Sequence, residues 1–210
     1  RKATTLKYKD GDEPFIEFES FNTHELLVFT NKCQVYKCKV ASFEDTKSAQ
    51  LGSYLPTDLD MDADESVTWV IDPGDYRADV LFAFENGRVA RVALSGYVTK
   101  TNRKRLKNAI YGGSKLLFAT VLTEERDLAL VSSDYRLVNF NTSLLKTKTT
   151  NSTQGVQAFT VKGSRTVTMV GTAEEFLGEK APLDKFRAAS LPSSGAPMKE
   201  TDMKSLFDEL

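Results

Sequence analysis

Three stretches decide how this chain folds: ELLVFTNKCQVYKCKV at residues 25–40, DVLFAFENGRVARVAL at 79–94 and DLALVSSDYRLVNFNT at 127–142. They align without gaps. Each opens on an acid and an apolar run, passes through a polar turn, and closes on alternating apolar and polar residues. That is the pattern of a β-hairpin, written three times. In the second copy the turn is Asn86-Gly87, a pair that tolerates positive φ at both positions.

Working outward, the hairpins begin at residues 25, 79 and 127, so the unit is about 50 residues long. Each is followed by a loop with a base and a glycine: TKSAQLG from Thr46, KTNRKRLKNAIYGG from Lys100 and KTKTTNSTQG from Lys146. Further apolar segments come next: ESVTWVI, SKLLFATVL, and the pair GVQAFTV and RTVTMV. EPFIEFESF, from Glu13, reads as the final strand of a further unit whose beginning is missing. Period and strand content predict an all-β chain of propeller-type, four-stranded blades, three full and one partial. A sandwich could also use hairpins, but the fixed order of hairpin, basic loop and strands argues for blades. Strands are expected near residues 13–22, 25–31, 34–40, 65–72, 79–85, 88–95, 114–123, 127–133, 136–142, 155–161 and 165–171. From Gly171 the prolines and the SSG cluster predict a change of character. The expected division is therefore blades over 1–170 and a loosely packed tail over 171–210, with MKSLFDEL as either a short terminal helix or a frayed end.

The 210 residues are 40% hydrophobic, enough for a real core. No apolar run approaches the roughly 18 residues that cross a bilayer, so no membrane role is expected. The start, RKATTLKYKDGDE, lacks the apolar stretch of a signal peptide and has no initial Met, which suggests a piece of a longer protein. Two cysteines, Cys33 and Cys38, make no disulfide framework, and a cytoplasmic setting is expected.

The net charge of -1 hides a polarity. Residues 10–85 hold 17 acids and 5 bases, whereas residues 87–166 hold 14 bases and 4 acids. Five of the eight residues from Lys100 to Lys107 are basic. Such asymmetry fits a face for a polyanion, or solvated loops; composition leaves both open.

The phrases themselves go further. ELLVFTNKCQVYKCKV is similar to a blade written LLxFTxxGxVYxLKV in the C-terminal domain of the A subunits of bacterial type IIA topoisomerases, DNA gyrase and topoisomerase IV. FENGRVARVALSGYVTKTNRKRLKNA resembles that family's next blade, most closely in Firmicutes, and KTTNSTQGVQAFTVK resembles its RxTQGV segment. The resemblance covers roughly residues 3–170. It departs from the family pattern at Cys33, where the first hairpin's glycine would stand, and at Asp134-Tyr135, where Asn-Gly or Asp-Gly is expected. No QRRGGKG-like gyrase box occurs.

The resemblance implies a β-pinwheel, a disc of blades that exchange strands and bend double-stranded DNA around a positive rim. The residues expected to meet phosphates are then Lys47 in the first loop, Lys100, Arg103, Lys104, Arg105 and Lys107 in the second, and Lys146 and Lys148 in the third. Arg88 and Arg91 of the adjoining hairpin extend the track. Backbone contacts of this kind confer little base specificity. The resemblance also implies partners outside this chain: the remainder of the DNA-cleaving polypeptide and the separate ATPase polypeptide of an A2B2 enzyme, in the bacterial cytoplasm and associated with the nucleoid. No catalytic residue and no cofactor is expected here. ATP and Mg2+ would act elsewhere in the intact enzyme.

Other signals are weaker. DLDMDADES, from Asp58, imitates the start of a Ca2+ loop, but its sixth position is Ala63 rather than glycine and its twelfth is Trp69 rather than glutamate, so it reads as an acidic loop away from DNA. Trp69 sits at an apolar strand position. Tyr36, Tyr97, Tyr111 and Tyr135 fit the core better than a base-stacking platform. A single His24 leaves little scope for nucleophilic catalysis. The rival reading is a propeller that binds proteins, supported by the acidic half.

Overall fold

A computed structural model describes residues 11, 13–47, 50, 52–178 and 183–199. In chain order the strands are β1 (Glu25–Thr30), β2 (Val35–Lys39), β3 (Val67–Ile71), β4 (Asp79–Phe84), β5 (Arg88–Ala93), β6 (Arg105–Leu106), β7 (Leu116–Leu122), β8 (Asp127–Ser132), β9 (Arg136–Asn141), β10 (Val156–Gln157), β11 (Val167–Gly171) and β12 (Ala196–Pro197). The described helices are short: α1 (Leu55–Asp58), α2 (Ala173–Leu177) and single 3-10 turns. The three hairpins lie where the sequence puts them, as β1–β2, β4–β5 and β8–β9.

Each hairpin is the centre of an antiparallel four-stranded sheet, with orders β3-β1-β2-β6, β10-β5-β4-β7 and β11-β8-β9-β12. Strands β3, β7 and β11 lie beside one another and form the inner line. The opposite, rim edge of the first sheet is closed by β6, which follows the second hairpin in sequence. That of the second is closed by β10, which follows the third. Leu106 faces Val35 and Val156 faces Val89, the same hairpin position in each case. This exchange is what distinguishes a β-pinwheel from a propeller whose blades are built from consecutive strands, and the chain is a β-pinwheel.

The alternation of side chains explains the stacking. Leu27 and Phe29 of β1 pack with Val80, Phe82 and Phe84 of β4 between the first two sheets. Leu81 and Ala83 point the other way and pack with Leu128, Leu130, Val138 and Phe140 of the third sheet. Successive residues of a strand face opposite sides, so a sheet between two neighbours needs apolar residues on both. Hence DVLFAF reads as one continuous apolar run. Cys33 and Cys38, both free thiols, lie toward opposite faces of the first sheet.

The hairpin turns share one geometry. Cys33, Gly87 and Tyr135 hold the equivalent position, with φ of 58°, 78° and 55°. The left-handed conformation costs a non-glycine residue about 1–2 kcal/mol, yet the first and third turns accept it. At Gly87 a side chain meets a further obstacle: its Cβ would stand 2.2 Å from the Phe159 carbonyl oxygen, so the backbone would have to shift.

Four expectations need correction. Residues 13–22 form no strand; the segment lies beside β3, with Phe15 edge-on to Trp69 at 5.4 Å, and has no hairpin to pair with among the described residues. Ser20 and His24 bond Asp72, which ties this segment to the end of β3. The expected strand over 155–161 is only the two residues of β10, because the Ala158 and Phe159 amides turn to the Gly87 carbonyl. The basic loop, expected to be irregular, contains β6. Finally, the described part of the tail, expected to be loose, is packed. Ala173, Phe176, Leu177, Phe186 and Met198 are buried against Ala129, Val131 and Leu137, and β12 takes the rim position of the third sheet. Pro192 and the SSG at residues 193–195, which suggested a linker, instead lead into β12, where Pro197 lies opposite Arg136. The MKSLFDEL segment lies outside the described residues.

Replacing Phe186 with Ala should therefore cost about 3–5 kcal/mol in urea unfolding, whereas a loose tail would lose almost nothing. Gly87→Ala should cost about 2 kcal/mol or more in the same measurement, since strain and overlap act together.

Candidate nucleic-acid interface

The basic loops reach the rim because of the strand exchange. Lys100 to Lys104 run up to β6, and the Lys104 carbonyl accepts the Lys37 amide, which seats the loop on the outer strand of the first hairpin. Lys100, Arg103, Lys104 and Lys107 are exposed. Lys146 and Lys148, also exposed, run along the outer strand of the second hairpin, where Lys148 forms a parallel bridge to Val92. Two of the three predicted loops thus occupy corresponding edges of adjoining sheets. Lys47 is exposed, and the described residues on either side of its loop stay with the first sheet, where Phe43, Leu55, Leu59 and Met61 cover Val28, Tyr36 and Cys38. Arg88, half-buried, starts β5 opposite Gln157 at the rim.

Arg91 and Arg105 are engaged within the chain. Arg91 donates from Nε to Asp79 at 2.6 Å and from Nη1 to Glu125 at 2.8 Å, with its side chain only 17% exposed. Glu125 also accepts from the Thr142 hydroxyl, so Arg91 binds the second sheet to the third. Burial would lower the Arg91 pKa, but Asp79 and Glu125 outweigh it and hold the cation above its usual range. Arg105 donates from Nε to Gln34 at 2.6 Å and from Nη2 to Asp62 at 2.8 Å, and stacks 5.4 Å over the Tyr36 ring.

The acidic loop is thus not remote from the basic one. Asp62 meets Arg105, and Lys32 in the first hairpin turn bonds Asp64. Beneath them Glu65 is buried and accepts hydrogen bonds from Thr30, Gln34 at 2.8 Å and Tyr36 at 2.7 Å. Burial raises the Glu65 carboxyl, and these donors together with the Asp62 amide bring it net below its usual value. Composition showed two charged halves; it gave no sign that strand pairing brings them together. The tyrosines divide as well: Tyr36 and Tyr97 are buried, Tyr111 packs edge-on to Phe84, and Tyr135 lies exposed in its turn.

Sequence reasoning missed the bases on the third rim. Arg187 pairs with Asp127 at 2.6 Å, and Arg136 donates to the carbonyls of Ser194 and Gly195 beside β12. For Arg187 the signal was present in DKFRAAS, but a segment read as linker draws no attention to its charges. Gly155, in the third basic loop, has φ of 65° and would place a Cβ 2.1 Å from the Val89 carbonyl oxygen, so close backbone packing requires it.

The sequence and the fold have counterparts in known proteins. No family model matches the chain. Over 109 residues, half of this chain, it is 30% identical to the A subunit of DNA topoisomerase 4 from Staphylococcus epidermidis, of which it spans 14%. Over 201 residues, 88% of this chain, it is 21% identical to the A subunit of DNA gyrase from the same species, spanning 22% of that protein. The resemblance to these A subunits holds. The fold agrees: the C-terminal domain of DNA topoisomerase IV superposes over 81% of this chain and 54% of that one, with a TM-score of 0.67 at 22% identity. The E. coli ParC C-terminal domain superposes over 79% of this chain and 68% of that one, with a TM-score of 0.60 at 14% identity.

Arg91→Ala should destabilise the protein by about 1–3 kcal/mol, because Asp79 is left half-buried and without its cation. Lys148→Ala, an exposed change, should stay within about 0.5 kcal/mol. Thermal or urea unfolding separates the two.

Proposed function

We propose that this chain is the DNA-binding and DNA-bending pinwheel domain of the DNA-cleaving polypeptide of a type IIA topoisomerase. The observation that carries the reading is the placement of Lys100–Lys107 and Lys146–Lys148 on the rims of adjoining sheets. DNA carries about one phosphate charge per 1.7 Å of its axis. A protein that bends it must neutralise phosphates along a curved path, and successive rims provide such steps. Bending 20–30 base pairs by 40–90° costs on the order of 1–6 kcal/mol, which these contacts must offset. Thr101, Asn102 and Thr149, exposed between the bases, can donate to phosphate oxygens.

In this reading the domain itself is not catalytic. It presents a DNA segment to the cleavage gate of the intact enzyme, in supercoiling or decatenation. The remainder of the cleaving polypeptide and the separate ATPase polypeptide supply the catalytic machinery, and with it the use of ATP and Mg2+, in the bacterial cytoplasm at the nucleoid. No described helix is long and apolar enough to cross a membrane. A protein-docking module is the second reading, favoured by Phe15 and Phe21, which are 71% and 70% exposed on an acidic segment.

Fluorescence anisotropy on a labelled duplex distinguishes them. If about six phosphates are engaged, log K against log[salt] should fall with a slope of about -5, with weak sequence preference. Converting Arg103, Lys104 and Lys107 to Gln should reduce that slope by up to about three, and Lys146 with Lys148 by up to about two, on folded protein. No binding at low salt, or binding unaffected by salt, favours the protein-docking reading.

A further inference from the structure

The loop from Asp58 to Glu65 is held at both ends. On one side Leu55, Leu59 and Met61 pack on Val28, Tyr36 and Cys38. On the other, buried Glu65 accepts from Thr30, Gln34 and Tyr36 under the first hairpin turn. Between these anchors Asp62 and Asp64 remain 43% and 79% exposed, and they meet Arg105 and Lys32. Asp62 also lies 3.8 Å from Lys32. Asp58 and Asp60 are in the same loop, equally acidic, and show no ion pair among the described residues. A carboxylate oxygen 2.8 Å from an arginine Nη2 makes the same kind of charge-assisted hydrogen bond that an arginine makes to a phosphate oxygen.

We propose that this acidic loop is an intrachain stand-in for DNA. It occupies Arg105 and Lys32 on the first sheet and competes with phosphates for them. Partly exposed ion pairs of this kind are weakly held and screened by salt, so a polyanion of high charge density can displace them. Binding on this rim is therefore an exchange of partners for Arg105 and Lys32, and a simple addition of partners for Arg103, Lys104 and Lys107. The inference rests on the DNA reading.

The test compares two variants with the same change in charge: Asp62→Asn with Asp64→Asn, and Asp58→Asn with Asp60→Asn. The first should bind a labelled duplex several-fold tighter at about 150 mM salt and steepen the salt slope by about one to two, one for each cation released. The second should change affinity less than about twofold, with an unchanged slope, through long-range repulsion alone. Equal effects of the two pairs, or none, overturn the competition while leaving the DNA reading intact. No binding by the wild type or either variant at low salt overturns both. In the wild-type chain, the Arg105 guanidinium NMR signals should shift as duplex is added, as Asp62 is displaced. Signals that stay in place while the DNA is bound overturn the proposal even if a variant is poorly folded.

Discussion

Each sheet of this chain is completed on its rim by a strand that is not its own neighbour in sequence. A hairpin with one inner strand would leave the outer edge of β2, β5 or β9 with unpaired amides and carbonyls, a template for association with other chains. Leu106 opposite Val35, Val156 opposite Val89 and Ala196 opposite Leu137 close those edges at the same register. Because β6 and β10 follow the next hairpin along, the segment leading into each must cross between sheets along the outside. The positions of the basic loops, the spacing of their charges and the approach of acid to base all follow from that crossing.

The two ends of the stack show the same economy. Each inner sheet face packs on a neighbouring sheet, but the outer faces of the first and third sheets have none among the described residues. The first is covered by Phe43, α1 and Met61, from the segment that corresponds to the crossing loops of later units. The third is covered by α2, Phe186 and Met198 of the tail. An apolar face must be removed from water whatever the local composition, so segments rich in proline, serine and acids are drawn into structure.

Electrostatics divides the bases into two kinds. Arg91 and Arg105 have carboxylates and neutral acceptors as partners within the chain; they join the second sheet to the third, and the basic loop to the acidic one. Lys100, Arg103, Lys104, Lys107, Lys146 and Lys148 project into solvent. Both kinds look alike as letters. What separates them is whether a carboxylate stands within reach, and for Arg105 that carboxylate is 43 residues away in sequence.

Much of the fold was legible in the residues themselves. The continuous apolar run of DVLFAF and its counterparts, the alternation that closes each hairpin, the turn chemistry of Asn86-Gly87 and the recurrence of the hairpins determined the class, the number of hairpins and their edges, because these depend on neighbours a few positions apart. The cluster from Lys100 to Lys107 was equally visible as charge. Tertiary structure alone decided which sheet each short strand joins, that the tail belongs to the third sheet, that EPFIEFESF lacks a ladder partner, and that Asp62 neutralises Arg105. Two-residue strands such as β6, β10 and β12 have too few side chains to show a period. Their place is set by backbone hydrogen bonds and by apolar faces that only the assembled stack creates.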